Sequence, residues 1–358
     1  MKKLVLVQTV VPDYRIRFFT HLKEQLGSDY LLCGGGSYFQ DSIRTTKGIG
    51  FLKEVKNHFL FGRRLLYQTG MWAEALSGDV LVLELNPRVL SNWILLIMRL
   101  FGRKKTVLWG HAWPRTGKKS GSDRFRHLMR LLSDQLIVYT VSQQHDLQKK
   151  MPRKKVLSAP NALYYRKEMQ ANTGDMEKIN HILYSGRLTL SKKPMLLLSA
   201  FAAALDQLPA SCNLLLVGSG EEERDLKKQA QRLRIADRVQ FLGEIHDLPA
   251  LQALYNISLL SVSPGYAGLS AIQSFGFGVP MLIADKEAHA PEIEAATADW
   301  NSVFFRCDDP NDLAKKMIYI FKEKKAWIEK RQAICATCRD NYSIELMTEP
   351  FLKLARET

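Results

Sequence analysis

Acidic residues are scarce in the first 160 positions, where 27 Lys and Arg stand against 11 Asp and Glu; from 161 to the end the counts are 24 and 25. The whole of the +15 net charge therefore belongs to the N-terminal half, in clusters such as Arg63-Arg64, Arg103 to Lys105, Arg115 to Lys119 and Arg153 to Lys155. A field of that sign attracts anionic lipid headgroups, phosphorylated substrates or nucleic acid. No recognised nucleic-acid motif supports the last of these. Long apolar runs are also missing. The stretch Val89 to Phe101 is interrupted by Asn92 and Arg99 and falls short of the ~20 residues that cross a bilayer, so it is expected to be a packed helix. The start, MKKLVLVQTVVPDY, has no small-residue cleavage site and is expected to be the first strand of the fold.

Cysteine is sparse as well. Cys33, Cys212 and Cys307 are scattered, which points to a reducing compartment and excludes a disulfide framework. Cys335 and Cys338 form a CxxC, but no second ligand pair matches it, and it lies in a charged, late helical segment rather than early in a βαβ unit; a structural role is expected. Asp308-Asp309-Pro310 resembles a carboxylate pair for a metal, yet Pro310 and Asp312 mark it as a helix start. Neither a catalytic metal nor a cofactor is expected.

What is present is a regular alternation. A chain of 358 residues with 46% hydrophobic content is long enough for two cored domains. Strand-like runs at Lys3–Val10, Tyr30–Cys33, Val80–Leu85, Thr106–Gly110, Gln135–Val141 and Val156–Ala159 are separated by helical patterns, among them Tyr14–Leu26 and one running to Lys150 with Ser142 as its N-cap. Gly34-Gly35-Gly36 is expected to be a flexible loop. A polar stretch from Arg166 to Asn180 ends this series, and a second begins at His181–Ser185, continuing through Cys212–Val217, Val239–Leu242, Ile257–Val262 and Pro280–Ala284. The order predicts an α/β protein with two doubly wound Rossmann-like domains and a ligand cleft between them. The expected boundaries are 1–165 for the first domain, 166–335 for the second, and 336–358 for a C-terminal helical segment that could return to the first.

Ser261 to Pro280, SVSPGYAGLSAIQSFGFGVP, follows a buried strand and precedes a helical pattern. Gly265 and Gly268 permit a sharp turn, and a helix starting near Leu269 would aim its free amides at an anion. An ordinary strand-to-helix turn has the same local signature. Upstream, a strand ends in Ser185-Gly186-Arg187-Leu188, with Lys192 five residues beyond Arg187. An Arg fork and a Lys point charge at that separation can converge on one diphosphate, although isolated residues of this kind are more often solvated. His111 follows Gly110 at a strand's carboxyl end, a position suited equally to a cleft or to a capping role.

In order, ILYSGRLTLSKKPMLLLSAFAAAL, LLLVGSGEEERDL, DRVQFLGEI and SPGYAGLSAIQSFGFGVP resemble successive motifs of the retaining glycosyltransferases of family 4, which have the two-Rossmann-domain B-type fold. VPDYRIRFF and VLWGHAW resemble, more weakly, N-terminal segments of certain bacterial members. The resemblance implies that Arg187 and Lys192, after Gly186, grip the donor diphosphate. It implies that Gly218, Gly220 and the turn Gly243-Glu244-Ile245 approach the nucleobase, that Gly268, Leu269 and Ser270 bind the donor through the backbone, and that His111 faces the donor sugar. Pro291-Glu292 also suits the family; Glu292 could bond sugar hydroxyls or simply complement a helix dipole.

Two departures stand out. The family's usual loop holds two glutamates eight positions apart, where this chain has Gly265 and Gln273; Gln273 can accept a ribose hydroxyl through its amide oxygen, and Gly265 offers no side chain. The usual glycine pair after the first strand is replaced by Val11-Pro12-Asp13-Tyr14-Arg15. The implied activity is transfer of a sugar, with retention, from a UDP- or GDP-sugar to a hydroxyl of a glycan or lipid-linked glycan in surface polysaccharide or glycoconjugate assembly. The implied setting is the cytoplasm, peripherally on the inner face of the cell membrane through the basic half. Two other readings remain open: a sugar-nucleotide epimerase of the same fold, and a non-catalytic nucleotide-sugar-binding membrane partner.

Overall fold

A computed structural model describes residues 1–40, 43–114 and 120–357, so the basic cluster Arg115 to Lys119 lies outside the described residues. The chain forms two compact units, Met1–Leu163 with Ile344–Thr358, and Tyr164–Ser343.

Unit 1 is built on an eight-stranded sheet: β1 (Leu4–Gln8), β2 (Tyr30–Gly35), β3 (Leu52–Leu60), β4 (Leu65–Thr69), β5 (Val80–Glu84), β6 (Lys105–Trp109), β7 (Gln135–Val138) and β8 (Lys155–Ser158). The order is β4-β3-β2-β1-β5-β6-β7-β8, parallel except for the antiparallel hairpin β3–β4 at one edge. Its central strands are continuous apolar runs because both faces are covered by helices. The hairpin escapes the sequence reading because LKEVKNHFL mixes charge and apolar residues as an edge strand does.

Two local expectations change here, and a third, the packed helix after Val89, gains detail. The glycines after Cys33 are not a flexible loop: Gly34 and Gly35 complete β2, and a Cβ on Gly35 would lie 2.1 Å from the side-chain oxygen of Asn57. That space lets the Asn57 amide donate to the carbonyls of Thr9 and Ser37. The helix Val141–Lys150 is capped by Thr140, not Ser142; the Thr140 hydroxyl accepts from the amide of Gln143 at 3.0 Å. The apolar stretch after Val89 becomes the helix Leu90–Arg99, packed by one side only. Asn92 and Arg99, which interrupt the run, are on the buried side, while Ile94, Ile97 and Met98 face solvent. Arg99 donates to the carbonyls of Ala75, Gly78 and Lys105 and to the Thr106 hydroxyl, so its charge is taken up by otherwise unsatisfied strand and helix ends.

The last helix, Ile344–Arg356, belongs to this unit, with Phe351 edge-on to Phe18 and Trp109 at 5.1 and 5.0 Å. Glu357 then pairs with Lys105 and Lys155, and these bonds hold its carboxyl down to about 2.

Unit 2 has six parallel strands, β9 (His181–Ser185), β10 (Leu214–Val217), β11 (Val239–Gly243), β12 (Ser258–Ser263), β13 (Met281–Ala284) and β14 (Ser302–Phe305), in the order β11-β10-β9-β12-β13-β14. The strand order reverses between β9 and β12, which opens a crevice at their carboxyl ends. Helix Leu269–Gly276 follows β12, and helix Arg331–Asn341 packs behind it. Cys335 and Cys338 sit on that contact as buried free thiols, donating to the carbonyls of Gly276 and Ile272. The CxxC thus arises from two cysteines on one helix face.

Candidate functional site

The carboxyl end of β9 carries the first part of the site in unit 2. Gly186 and Leu188 donate to the carbonyls of Val217 and Ser219, so the segment is laced to the end of β10. Both glycines opposite are obligatory: a Cβ on Gly218 would lie 2.0 Å from the carbonyl oxygen of Gly186, and one on Gly220 2.2 Å from that of Leu188. The Tyr184 hydroxyl holds the carbonyl of Arg187 at 2.7 Å and leaves the guanidinium exposed. Beyond a short turn, Leu190–Lys192, the Lys192 ammonium folds back to donate to the Tyr266 carbonyl at 2.6 Å and lies 4.3 Å from the centre of its ring.

Gly265 explains how that turn can approach. Its Cβ position is 2.6 Å from the Ser191 carbonyl oxygen and 3.0 Å from the carbonyl carbon of Lys192, so backbone fills the space a side chain would need. The loop is secured from the other side by His289, whose Nδ1 accepts from the Ala267 amide while its Nε2 bonds the Ala284 carbonyl, and by the Ala290 amide on the Ala267 carbonyl. Gly268 then precedes helix Leu269–Gly276, with the half-exposed Leu269 and Ser270 in its first turn. The carboxylate of the buried Glu292 is 4.0 Å from the Cβ position of Gly268. Glu292 lies in a short 3-10 turn, Pro291–Ala295, rather than starting an α-helix.

Arg187, Lys192, Gly268 and Glu292 are therefore brought together, and the electrostatics of Lys192 register it. Burial and the positive charge of Arg187 push its ammonium down to about 8, against the opposing pull of Glu292. A cation held below its ordinary value in this way gains charge when an anion arrives.

Gln273 is an internal hub. Its amide oxygen accepts from the hydroxyls of Ser185 at 2.7 Å and Tyr255 at 3.1 Å, and its amide nitrogen donates to the Tyr164 hydroxyl at 2.7 Å. At the far end of the crevice, Gly243 has φ +68°, and its carbonyl accepts from the Gly218 amide at 2.7 Å. Glu244 is exposed, accepts from the Ser219 hydroxyl and faces His246, and these bonds hold its carboxyl below the usual range; Ile245 is half-buried beside it.

The acidic residues near β14 have structural partners. Asp309 caps helix Pro310–Lys322 by accepting from the amides of Asn311 and Asp312. Glu287, Cys307 and Asp308 gather their ligand atoms within 4.8 Å, but the Lys193 ammonium donates into that cluster, bonding Glu287 and, at 2.6 and 3.5 Å, Asp308 and Cys307. A protein cation occupies the place a metal would take.

Unit 1 has its own switch point, between β1 and β5. There Glu84 accepts from the Thr9 amide at 2.6 Å and from its hydroxyl at 2.7 Å. Burial pushes its carboxyl up, against the Thr9 bonds and the nearby Arg15. Arg15 stacks against Trp109 and Tyr139 and donates to the Tyr139 hydroxyl at 2.9 Å. His111 is exposed at the end of β6, its ring 4.7 Å from that of Tyr139. The sequence singles out His111 and the segment Val11 to Arg15, but not Glu84 or Tyr139. A carboxylate closing the apolar run VLVL was the one available signal.

Two tandem α/β units, the second with a glycine-lined crevice at its switch point, define a B-type glycosyltransferase fold. Residues 166–337 match the family of glycosyl transferases group 1. That segment, just under half of the chain, is similar to the retaining glycosyltransferases of family 4. Among relatives, it is 25% identical over 204 residues to GalNAc-alpha-(1->4)-GalNAc-alpha-(1->3)-diNAcBac-PP-undecaprenol alpha-1,4-N-acetyl-D-galactosaminyltransferase of Campylobacter jejuni, covering 57% of this chain and 55% of the relative. The matched region is thus about half of that relative's length. The fold resembles that of Anabaena HepE solved with UDP, with TM-score 0.71 and 16% identity over 99% of both chains. It also resembles the lipopolysaccharide outer core galactosyltransferase WaaB, with TM-score 0.67 and 11% identity over 98% of both. These two likenesses are of fold.

Proposed function

We propose that the protein transfers a sugar, with retention, from a UDP-sugar to a hydroxyl of a glycan or lipid-linked glycan, at an anionic membrane surface that attracts its basic N-terminal half. The observation that carries the donor half is the convergence of Arg187, Lys192 and the start of helix Leu269–Gly276 at the β9/β12 switch point. UDP is favoured because HepE has been solved with it, and a lipid-linked glycan acceptor because the Campylobacter relative is named for one.

In this reading the bond from the anomeric carbon to the β-phosphate oxygen breaks as the acceptor oxygen bonds the same face of that carbon. The electron pair leaves with the diphosphate, and the acceptor's proton passes to the departing phosphate. Arg187, Lys192 and the helix amides oppose the growing negative charge, the kind of contact whose loss costs about 3 kcal/mol of barrier. Glu292 would bond a sugar hydroxyl in this reading. Gly218, Gly220, Gly243, Glu244 and Ile245 form the base end, and Gln273 the ribose end through exchange with one of its present hydroxyl partners. In unit 1, His111 keeps its expected role towards the donor sugar, and Glu84 supplies a polar group for the acceptor.

A panel of UDP- and GDP-sugars, assayed for hydrolysis and for transfer, tests this. Turnover with a UDP-sugar that falls by about a hundredfold in Arg187→Ala is expected. No turnover of any donor, with Arg187→Ala binding UDP as well as the parent chain, would overturn it.

A further inference from the structure

Two neighbouring helices of unit 1 carry apolar side chains on their outer sides as well as on the inner sides that bury Leu95, Leu96 and Met129. In Leu90–Arg99 the charged residue, Arg99, is buried, while Ile94, Ile97 and Met98 face solvent at helical spacing, followed directly by Leu100 and by Phe101 at 91% exposure. Asp123–Leu132 repeats this two-sided pattern. Asp123 and Arg130 are buried as an ion pair with a 2.7 Å contact, while Phe125, Leu128 and Leu131 point outward. A helix on a water-facing sheet normally places its charges outward and its apolar stripe inward. The two helices pack against each other, and as successive crossovers along β5-β6-β7 they cover one face of the sheet. Their outer sides therefore present these exposed apolar residues on the same face of the unit.

The border of this surface selects its occupant. Exposed Arg103 and Lys104 follow Phe101, and exposed Arg124 adjoins Phe125. From Leu85 to Ser133 the sequence holds eleven Lys and Arg and one acidic residue, the buried Asp123. A second copy of this chain would set like charges against each other around the apolar contact, and a protein partner would need a matching acidic rim. An anionic bilayer supplies both the acyl region for the aromatic and aliphatic side chains and the headgroup charge for the rim.

We infer that the outer faces of Leu90–Arg99 and Asp123–Leu132 form a monotopic docking surface that inserts Ile97, Phe101, Phe125 and their neighbours into the headgroup-acyl boundary of an anionic membrane. This rests on the membrane setting proposed above and adds apolar insertion at a defined surface to attraction by charge alone.

The test is sedimentation of the full chain with vesicles of phosphatidylcholine alone or with about one-quarter phosphatidylglycerol, at low salt and at about 0.5 M NaCl, where charge attraction is screened. Binding to the anionic vesicles that survives in part at high salt is expected. Ile97→Ser with Phe101→Ser should lose at least about tenfold of the salt-resistant binding, since each removes an apolar anchor. Arg103→Ser with Arg124→Ser should lose the preference for anionic vesicles. All four positions are exposed, so unchanged thermal unfolding checks the fold. Three outcomes overturn the inference: complete release at high salt, Ile97→Ser with Phe101→Ser binding as the parent does, or a parental dimer that these changes dissociate. UDP-sugar hydrolysis, measured without vesicles, reports separately on the transferase reading and is expected to be the same in these variants.

Discussion

The ammonium of Lys192 donates to the carbonyl of Tyr266 at 2.6 Å across 74 residues of sequence, pinning the turn after β9 to the loop after β12. The same contact buries the lysine and brings it near Arg187, so its charge is held at a cost until an anion shares it.

Nucleotide binding should therefore be coupled to protonation. With Lys192 at about 8 in the free protein, UDP affinity is expected to be level just above neutrality and to weaken above pH 8, by up to tenfold per unit. Lys192→Arg should abolish that dependence. Between about 8 and the ordinary lysine value of 10.5 the unfolded chain binds the extra proton, so the stability of the empty protein relative to Lys192→Met should rise with pH across this window. Calorimetric titration with UDP in buffers of different ionisation enthalpy measures the proton uptake directly.

Restoring the glutamate usual in this family at position 265 should impair the protein. Its Cβ would lie 2.6 Å from the Ser191 carbonyl oxygen and would drive back the turn that carries Lys192. Even Gly265→Ala is expected to lose about 1 to 3 kcal/mol of stability. UDP affinity and the thermal midpoint should fall together for both variants; a Gly265→Glu variant with higher affinity would show that the turn gives way freely.

Glu84 should reveal its burial through pH. Its folded carboxyl is raised, so the folded state keeps the proton to higher pH than the unfolded state does, and stability from this group is lost as pH rises through the folded value. Unfolding midpoints of Glu84→Gln, which does not titrate, should gain on the parent chain as pH rises above the ordinary carboxylate range. Transfer to acceptor should fall in this variant while UDP affinity is unchanged.

Lys193 ties the segment after β9 to the ends of β13 and β14 through Glu287 and Asp308. Lys193→Ala should lower the melting temperature near neutrality. Both carboxyls are held below their usual range, Glu287 by its bonds to Cys307 and Lys193 and Asp308 by those to Lys193 and Cys307. Their contribution is present above the ordinary carboxylate range and lost as pH falls through the lowered values, so the difference between parent and variant should close in acid.

Local order was legible without coordinates. The alternation of strands and helices, the glycine-bearing loop from Ser261 to Pro280, and the cations after β9 depend on residues within a few turns of one another, and backbone geometry alone gives such patterns their meaning. What tertiary structure decided is the set of partners. Gln273 meets Tyr164 across 109 residues and Ser185 across 88, and nothing in the sequence marks that hub. Gly265 is legible as a missing side chain, but only the folded chain shows backbone in its place. The stretch from Leu90 to Phe101 is apolar on nearly every side, so its periodicity could not say which side is buried. The carbonyls that Arg99 satisfies turned that charge inward and left Ile97 and Phe101 facing out.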